Sequence, residues 1–541
     1  MIKFIKHRNN IVYRCMLKGI LVLSISSILA QNLETIPLDW VNHYGLESHN
    51  GIALWNQDWE SGPFLFDGTF AHYPARYGPW IQKGRQATFS DTLADTVLVD
   101  SWFNYEQGDY NYDALDLGLN TLGEKRKISL NAYKRSFPGH INQYAIEGGS
   151  SRPTQQSYGI QYQSKDERQS LWAGFGQFVT HNGIPDSASL GELTSAMILS
   201  ALHWKKSGEK TSVSLSFNQF QNQRKLKHSQ FGFSGNHFLN RNRISLELSR
   251  NYKWDIQYFF GMKHHARSFM DSTTKIQEWQ EIYDEIKVKG LSLKSGFVQS
   301  PFSDREAIYD LKYEHQFSQF HLIGEISKTM VPRQITLWSG KNNFMETWKK
   351  KRIQLSYLSK QISLFSEFGN QASNRWLSNE TCFKNQLNTF NYYTISSNIK
   401  LWRTFAFDGS ITAVDSVTFL NDGAGQKIKA SISGQNWIFS ETMDFRFSLS
   451  VNGWLNRSDA FQFDYLSGEM RQNLSPENLN DIWLLNFEIE AIVSTFTIRY
   501  TMKNLLAFFD AENQSYRYTF HDGFPAFGRQ MTIGVEWHFD N

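Results

Sequence analysis

The sequence predicts an all-β protein, a transmembrane antiparallel up-and-down β-barrel of about 22 strands. Apolar and polar side chains alternate with a two-residue period along most of the 541 residues, as in strands with one apolar and one wet face. The joins between these strands alternate between long and short, which is typical of a barrel with tight turns at one rim and loops at the other. Uncertain boundaries leave a range of roughly 18 to 24 strands.

Composition favours one large architecture over several soluble domains. No Pro-rich, Gly/Ser-rich or charge-rich linker divides the chain. The formal net charge is +3 with many charges of both signs, so no basic field points to a nucleic-acid partner. Aromatic residues make up 15% of the chain, which favours strands and the interfacial rings of membrane barrels.

Residues 1–30 have the pattern of a secretory signal peptide. A basic segment precedes the apolar run 19–30, and cleavage is expected after Ala30. The alternative is a lone membrane anchor, but the run is short for a helical span of about 20 residues. Cleavage removes Cys15 and leaves Cys382 as the one cysteine, so the exported protein has no internal disulfide. The basic side chains are Lys3, Lys6, Arg8, Arg14 and Lys18.

Residues 31–95 form a lead-in of poor periodicity. Tryptophans and prolines are scattered there among polar residues. We expect an irregular segment that lies in the periplasm or faces the barrel lumen. Residues 96–541 are expected to form the barrel itself.

The last strand carries the clearest pattern of the chain. Its apolar members alternate with Thr532, Gly534, Glu536 and His538, so the strand has one apolar and one polar face. The alternative for this strand alone is the edge of a soluble sandwich. In a barrel it closes on the first strand and acts as the signal for the barrel-assembly machinery. The apolar members are Met531, Ile533, Val535, Trp537 and Phe539.

The joins predict the two rims. Long joins are expected to lie outside the cell, with the tight turns and both termini in the periplasm. A soluble propeller also has many short strands, but it would not sort its joins by length. The expected long joins are 135–155, 179–191, 221–241, 267–281, 299–304, 329–350, 370–390, 415–425, 456–480 and 504–527. The expected tight turns lie near 123–125, 166–167, 207–209, 251, 290, 318, 403, 440 and 493.

The end of the chain resembles the C-terminal end of TonB-dependent-receptor barrels. Asn504-Leu505-Leu506 follows the penultimate strand, and Gly523-Phe524-Pro525-Ala526-Phe527-Gly528-Arg529 precedes the last one. Phe527 stands where that family commonly has a second proline, and the Gly-Arg turn is kept. The resemblance implies an outer-membrane barrel of about 22 strands.

The other end of the chain departs from that family. Its receptors carry a plug domain inside the barrel, led by a motif that contacts an energy-transducing partner. The lead-in of this chain is too short for such a plug, and we find no such motif in it. The protein is therefore similar to plug-less relatives of porin type, and no energy coupling is implied.

Alternation assigns a set of charged side chains to the lumen. If the lumen is a water-filled channel, rings of such charges set its solute preference. The alternative is that they form interstrand pairs in a solvated wall; Glu488 and Arg499, which lie on consecutive strands, are one candidate pair. The candidate pore-lining residues are Arg243, Asp255, Arg446, Glu488, Arg499, Lys503 and Glu536.

The sequence favours neither catalysis nor a cofactor. It contains no Gly-x-Ser-x-Gly, His-Glu-x-x-His or Gly-x-x-x-x-Gly-Lys motif. His264 and His265 are adjacent in a strand, point to opposite faces and cannot bind one metal ion together. Loop carboxylates would be the candidates for an enzyme of the outer membrane, but their spacing does not differ from that of a solvated loop. These carboxylates are Asp459, Asp464 and Glu469.

Three functions are compatible with this barrel. The leading one is an outer-membrane channel for passive or loop-gated passage of a small solute. The second is a surface receptor of TonB-dependent-receptor type that captures a ligand and relies on a partner for energy coupling. The third is a structural or adhesive surface barrel. In each case the expected partners are outer-membrane lipid and the barrel-assembly machinery.

Overall fold

The computed structural model describes most of the region after residue 97 and a few short strands before it. Short strands at Leu33–Thr35, Leu46–His49 and Ile52–Trp55 form a small sheet, and Ile81–Gln82 pairs with Arg85–Gln86. Most of the lead-in predicted at residues 31–95, and the signal peptide, lie outside the described residues. The other described ranges are 98–136, 154–183, 191–228, 233–301, 303–332, 345–373, 388–402, 404–415, 424–459, 461–464, 469–472, 475–509 and 528–540.

The described part of the chain forms a closed antiparallel barrel of 22 strands, as predicted. Each strand pairs with the strand before it and the strand after it along the chain. The first eleven strands are β1 (Leu98–Gly108), β2 (Tyr112–Leu122), β3 (Arg126–Ser136), β4 (Thr154–Lys165), β5 (Gln169–Gly183), β6 (Gly191–Ser207), β7 (Thr211–His228), β8 (Phe233–Asn251), β9 (Ile256–Met270), β10 (Thr274–Val288) and β11 (Leu291–Ser300).

The second half of the barrel repeats the same arrangement. A four-residue helix α1 (Leu506–Phe509) follows the penultimate strand, and Asn478–Leu479 adds two residues of pairing to the end of the nineteenth. The remaining strands are β12 (Ser303–Phe317), β13 (Phe320–Pro332), β14 (Met345–Leu358), β15 (Ile362–Ser373), β16 (Asn388–Lys400), β17 (Phe405–Val414), β18 (Ala424–Ile438), β19 (Met443–Ser458), β20 (Ile482–Val493), β21 (Phe496–Lys503) and β22 (Gln530–Asp540).

The last strand closes the barrel on the first. β22 pairs with β1 in a continuous register from Thr532 opposite Gly108 to Asp540 opposite Asp100. Closure satisfies the backbone donors and acceptors that an open edge would leave unpaired, which a hydrocarbon environment requires. No helix among the described residues is long and apolar enough to cross a membrane.

One rim of the barrel is built from tight turns, as predicted. Several turn residues have a positive φ, among them Ser318, Ser440 and Ser494. Gly290 has a φ of 86°, and a Cβ there would lie 2.1 Å from the carbonyl oxygen of Glu314. This position therefore requires glycine. Both ends of the barrel, Leu98 and Asp540, lie at the same rim as these turns.

The opposite rim differs from the prediction in three places. Residues 221–241, 267–281 and 299–304 were expected to be long joins. Instead β7 and β8 have 18 and 19 residues, only residues 271–273 separate β9 from β10, and only residues 301 and 302 separate β11 from β12. These strand ends project past the apolar band, where no apolar face is needed, so the sequence shows no alternation there. In the turn between β9 and β10, the backbone amide of Thr273 donates to Asp271 over 2.7 Å and lowers the pKa of that carboxyl group.

Candidate functional site

The polar face of the barrel wall is its inner face. Partners in the register share a face, and the same polar face continues from strand to strand around the closed ring. On β21 the side chain of Arg499 is 19% exposed, whereas its neighbour Ile498 is 43% exposed. Side chains crowd on the concave side of a cylinder and spread on the convex side. The crowded polar face therefore lines the interior, and the apolar face points outward from the barrel.

A network of ions joins the last strands to the first on this inner face. Arg499 on β21 donates from Nε to Oε1 of Glu490 on β20 over 2.6 Å. Its Nη2 lies 3.5 Å from Oε2 of Glu536 on β22, and its Nη1 lies 3.8 Å from Oε1 of Glu106 on β1. We call these four residues the seam network. One guanidinium thus contacts three carboxylates and spans four neighbouring strands, including the pair that closes the barrel.

Glu488 and Arg499, the candidate pair, are not partners in the register. The residue opposite Arg499 in the register is Glu490, and Glu488 lies opposite Thr501. The hydroxyl of Thr501 donates to Oε2 of Glu488 over 3.1 Å. The tight turn at Ser494, which has a φ of 54°, fixes this register. Glu488 and Glu490 are successive inward-facing residues of β20. A register shifted by that one inward-facing residue would place Glu488, and not Glu490, opposite Arg499.

Arg446 and Glu488 line a cavity at the rim of the tight turns. Arg446 donates from Nη2 to Asp444 over 2.6 Å, and its side chain remains 46% exposed. The cavity has a volume of about 560 Å³. Its polar lining also includes Lys400, Ser433, Gln435, Ser448 and Glu490. The interior is therefore wet and charged at this end.

The other predicted pore-lining residues lie apart from this group. Arg243 on β8 is on the inner face, opposite Asn218 and His265. Lys503 is the last residue of β21, opposite Gln530 at the rim of the long loops. The expectation for Asp255 is wrong: it lies in a 3₁₀ turn, Lys253–Asp255, with a φ of 59°, outside the strand wall.

Sequence reasoning missed a second inner group on β8 to β11. Lys294 Nζ lies 2.8 Å from Oε1 of Glu281, and Lys263 Nζ lies 3.6 Å from the same oxygen. Lys294 also lies 4.0 Å from the ring centroid of Tyr283, whose hydroxyl donates to Glu247 over 3.0 Å. Glu281 was placed at the end of a predicted loop. The period-two polar pattern of Glu281, Tyr283 and Glu285 in the sequence was the available signal.

A third inner group lies on β13 to β16. Arg352 on β14 contacts Glu325 on β13 over 2.5 Å and Glu367 on β15 over 3.2 Å. Tyr392 on β16 donates its hydroxyl to the other oxygen of Glu367 over 2.8 Å. Lys350 lies 3.7 Å from Glu325. We call Arg352, Glu325, Glu367 and Tyr392 the lateral network.

Glycines allow the inner tyrosines to lie across the wall. Tyr392 is opposite Gly369, and a Cβ at Gly369 would lie 2.3 Å from the tyrosine Cζ atom. Tyr283 is opposite Gly261 in the same way, with 2.1 Å to its Cζ atom. Each ring covers a glycine and reaches a glutamate on the inner wall, so the missing side chain of the glycine is what allows the hydrogen bond.

Two groups of inward side chains near the long-loop rim are almost completely buried. Trp454 on β19 is opposite Ile482 on β20, and both side chains are almost completely buried, at 1% and 0% exposure. On β9 and β10, Arg267 is equally buried beside Trp279, with the guanidinium 5.9 Å from the ring centroid. His265 stacks on the same ring at 4.7 Å. These inward side chains are withdrawn from water, unlike Arg446 at the other end.

The described residues contain no cluster of side chains that would hold a metal ion. Of the loop carboxylates considered for an enzyme, Asp459 accepts a hydrogen bond from the backbone amide of Glu477. Asp464 and Glu469 face each other in the register of a short hairpin, Phe461–Asp464 with Glu469–Gln472. Asp459 has the contacts of a loop-fixing residue.

The chain is similar to known proteins in its fold but not in its sequence. No protein-family model and no curated protein matches the sequence. Among solved structures, the FrpB iron transporter from Neisseria meningitidis matches with a TM-score of 0.64 at 8% identity, covering 83% of each chain. The siderophore receptor PirA from Acinetobacter baumannii matches with a TM-score of 0.60 at 10% identity, covering 83% of this chain and 81% of that one.

A third match is the ferric enterobactin receptor from Pseudomonas aeruginosa in complex with enterobactin. Its TM-score is 0.61 at 9% identity, and the match covers 83% of this chain and 82% of that one. The chain therefore shares the closed-barrel fold of these transporters and receptors, and at 8–10% identity the likeness concerns the fold alone. The expectation that it lacks a plug concerns residues 31–95, most of which lie outside the described residues.

Proposed function

We propose that this protein is a ligand-binding transport barrel of receptor type in the outer membrane, closed to free diffusion. The long-loop rim faces the outside and captures a small ligand, and the tight turns and both termini face the periplasm. The observation that carries this proposal is the pair Trp454 and Ile482, which point inward and are withdrawn from water. An open aqueous channel would hydrate such side chains.

The buried inner wall and the matched proteins support the same function. Arg267 beside Trp279 is a second dry site on the inner wall, on strands far from Trp454. Wide barrels of about 22 strands usually contain an obstruction, because an open one would leak. The names of the matched proteins describe an iron transporter, a siderophore receptor and a ferric enterobactin receptor. A ligand of small-molecule size is therefore favoured over an adhesive surface.

The ligand is then released at the tight-turn rim, where the inner wall is charged and hydrated. The cavity at the tight-turn rim contains both signs of charge, from Lys400, Arg446, Glu488 and Glu490. A solute that has passed the dry zone meets solvated groups there and is released to the periplasm. The lead-in contains no motif that would recruit an energy-transducing partner to this chain. In this proposal the barrel therefore relies on a second protein that carries the energy coupling itself.

A passive channel is the second candidate, and two observations favour it. The inner face is polar on every strand of the seam network, and Arg446 is nearly half exposed. In a channel, Arg243, Arg446, Glu488, Arg499, Lys503 and Glu536 would set solute preference, as the sequence predicted.

Conductance in planar bilayers separates the two functions. The purified barrel is expected to insert without discrete conductance steps. The double variant Trp454→Ala, Ile482→Ala removes the dry contact and is expected to leak. Heat-modifiable migration on gels, a property of intact barrels, confirms folding of both proteins. Discrete steps in the wild-type protein, with selectivity that changes in Arg446→Glu, would establish the passive channel instead.

A further inference from the structure

The cavity at the tight-turn rim has a floor of small inward side chains. Ala406, Ser433 and Ser448 lie opposite one another on β17, β18 and β19, in one row across the wall. All three line the cavity, which has a volume of about 560 Å³. Three adjacent small side chains leave space above the wall, and a volume of this order holds a small molecule.

Two charged side chains of opposite sign end this row. Lys400 on β16 is opposite Ala406, and Glu488 on β20 is opposite Ser448. Neighbouring strands lie about 4.8 Å apart, so four strand spacings separate the two Cα atoms by roughly 19 Å along the wall. The two side chains are too short to bridge that distance and form an ion pair. They therefore stand on opposite sides of the cavity, with the floor between them.

Lys400 has no counter-ion among the residues that the structure describes. Its backbone amide donates to the carbonyl oxygen of Gln361 over 2.8 Å, which fixes the end of β16, and its side chain is exposed. Asp408 lies on the same face of β17, but it accepts a hydrogen bond from Asn398 and forms no ion pair with Lys400. The ammonium group is thus available to an anion that enters the cavity.

The β20 side of the cavity is negative. Glu488 and Glu490 both line it, and Glu490 belongs to the seam network, in which three carboxylates surround one arginine. The cation that lines this side, Arg446, donates from Nε and Nη2 to Asp444 over 2.9 and 2.6 Å. Its charge is therefore balanced within the wall. The cavity thus has a positive side at Lys400 and a negative side at Glu488.

Glu488 can accept a cation in addition to its contact within the wall. The hydroxyl group of Thr501 donates to its Oε2 atom over 3.1 Å. A carboxylate has about four acceptor positions, so a bond from a hydroxyl group does not preclude a further one from an ammonium group. Between the two charges, the hydroxyl groups of Ser433 and Ser448 can donate to carbonyl groups and accept from amide groups.

We propose that this cavity binds a short zwitterionic peptide, with its carboxylate on Lys400 and its ammonium group on Glu488. A tripeptide spans up to about 10 Å between its ends, which suits two charged side chains that reach toward each other across the floor. The amide groups of the peptide lie over Ser433 and Ser448. This inference rests on the proposed function, because the cavity lies where that function has the transported ligand released.

The test measures peptide binding to the purified full-length barrel by isothermal titration calorimetry in an uncharged polyoxyethylene detergent. Trialanine is expected to bind. Trialanine amide lacks the carboxylate and N-acetyltrialanine lacks the ammonium group, so each should bind at least about fivefold more weakly through loss of a charge-assisted hydrogen bond. N-acetyltrialanine amide, which has neither charge, should not bind at matched concentrations.

Two variants assign the ends of the ligand. Lys400→Gln should weaken the binding of trialanine at least about fivefold but leave that of trialanine amide unchanged, because the amide has no carboxylate to contact the lysine. Glu488→Gln should weaken the binding of trialanine by a similar factor and leave that of N-acetyltrialanine unchanged. Heat-modifiable migration on gels confirms that each variant is folded.

The matched control variants are Lys312→Gln and Glu314→Gln. Both side chains point inward on β12, outside the cavity, and they pair with each other at 3.0 Å. Each control should bind trialanine like the wild type.

Three results would overturn the peptide site. The first is that dialanine, trialanine and tetraalanine all fail to bind at millimolar concentrations. The second is that Lys400→Gln and Glu488→Gln bind trialanine as well as the wild type does. The third is that N-acetyltrialanine binds more tightly than trialanine, which would identify a site for anions instead.

The bilayer conductance of the wild-type protein separates this result from the proposed function. Peptide binding by a barrel that shows discrete conductance steps would overturn the closed barrel and leave the site intact. Absence of peptide binding in a barrel without such steps would overturn the site alone.

Discussion

The seam network and the lateral network occupy the same inner face but differ in charge balance. At the seam, one arginine contacts Glu490, Glu536 and Glu106 within 3.8 Å, so carboxylates are in excess. In the lateral network Arg352 and the nearby Lys350 face two carboxylates, Glu325 and Glu367. The seam joins strands from opposite ends of the chain, whereas the lateral strands are consecutive. The single arginine at the seam is therefore expected to matter most.

The largest effect is expected from charges on the outer face of the closing strand, β22. Trp537→Asp with Phe539→Asp places two charges on the outer, apolar face of β22, where both rings are exposed. We expect the level of protein in the outer membrane to fall at least about tenfold, because charged side chains on the lipid face of a barrel are strongly unfavourable. Cell fractionation and immunoblotting measure this.

The control variant changes a residue on the inner face of the same strand, β22. Glu536→Gln keeps the lipid-facing side of β22 intact and should insert at the normal level. Normal insertion of the double Asp variant would show that the outer face of this strand does not direct assembly.

Removing the arginine of the seam is expected to have the next largest effect. Arg499→Met leaves Glu490, Glu536 and Glu106 facing each other on a partly buried wall. The free energy of unfolding should fall by about 3–5 kcal/mol, as when one partner of a buried ion pair is lost. Urea unfolding of the protein in lipid vesicles, followed by tryptophan fluorescence, gives the value.

A double-mutant cycle checks this explanation. Adding Glu490→Gln to Arg499→Met removes one of the three carboxylates that contacted the arginine and should recover part of the loss. If the double variant is less stable by the sum of the two single effects, repulsion between the carboxylates is not the cause.

The lateral network should respond more weakly. Glu325→Gln leaves Arg352 its contact with Glu367 at 3.2 Å, and the amide oxygen still accepts a hydrogen bond. We expect a loss of about 1–3 kcal/mol in the same unfolding assay. A loss as large as that of Arg499→Met would remove the distinction between the two networks.

The smallest effect is expected from the tyrosine at the end of the lateral network. Tyr392→Phe removes the hydroxyl that donates to Glu367 over 2.8 Å but keeps the ring over Gly369. The free energy of unfolding should fall by about 0.5–1.5 kcal/mol. Gly369→Ala is the companion variant, since its methyl group displaces the ring, and it should cost at least as much as Tyr392→Phe.

Alternation predicted the faces of the strands well and the contacts between them poorly. Arg499 and Glu536 were both assigned to the interior, and they share the inner face in the register. Their shared partner Glu106 is almost the whole chain away, so no local pattern connects it to them. The pairing of Arg499 with Glu490 instead of Glu488 depends on the turn at Ser494.

Two errors have the same physical origin. Trp254 and Asp255 continue the alternation of β9, yet both have a positive φ and form a turn. The ends of β7 and β8 show no alternation, yet they are paired strands. Alternation in the sequence indicates where a strand has an apolar outer face, and it does not indicate where the backbone is hydrogen-bonded to a neighbouring strand. Beyond the apolar band, alternation and backbone pairing no longer coincide.

The sequence by itself determined that the barrel wall consists of strands with one apolar and one polar face. A period of two in the side chains is sufficient to specify strands that lie between lipid and a polar interior. Tertiary structure alone decided which charges meet, because closure brings β22 against β1 and aligns carboxylates from four strands around Arg499. It also decided that Trp454 and Ile482 are dry. Inward orientation is a local property of a strand, whereas access to water depends on everything else that enters the interior.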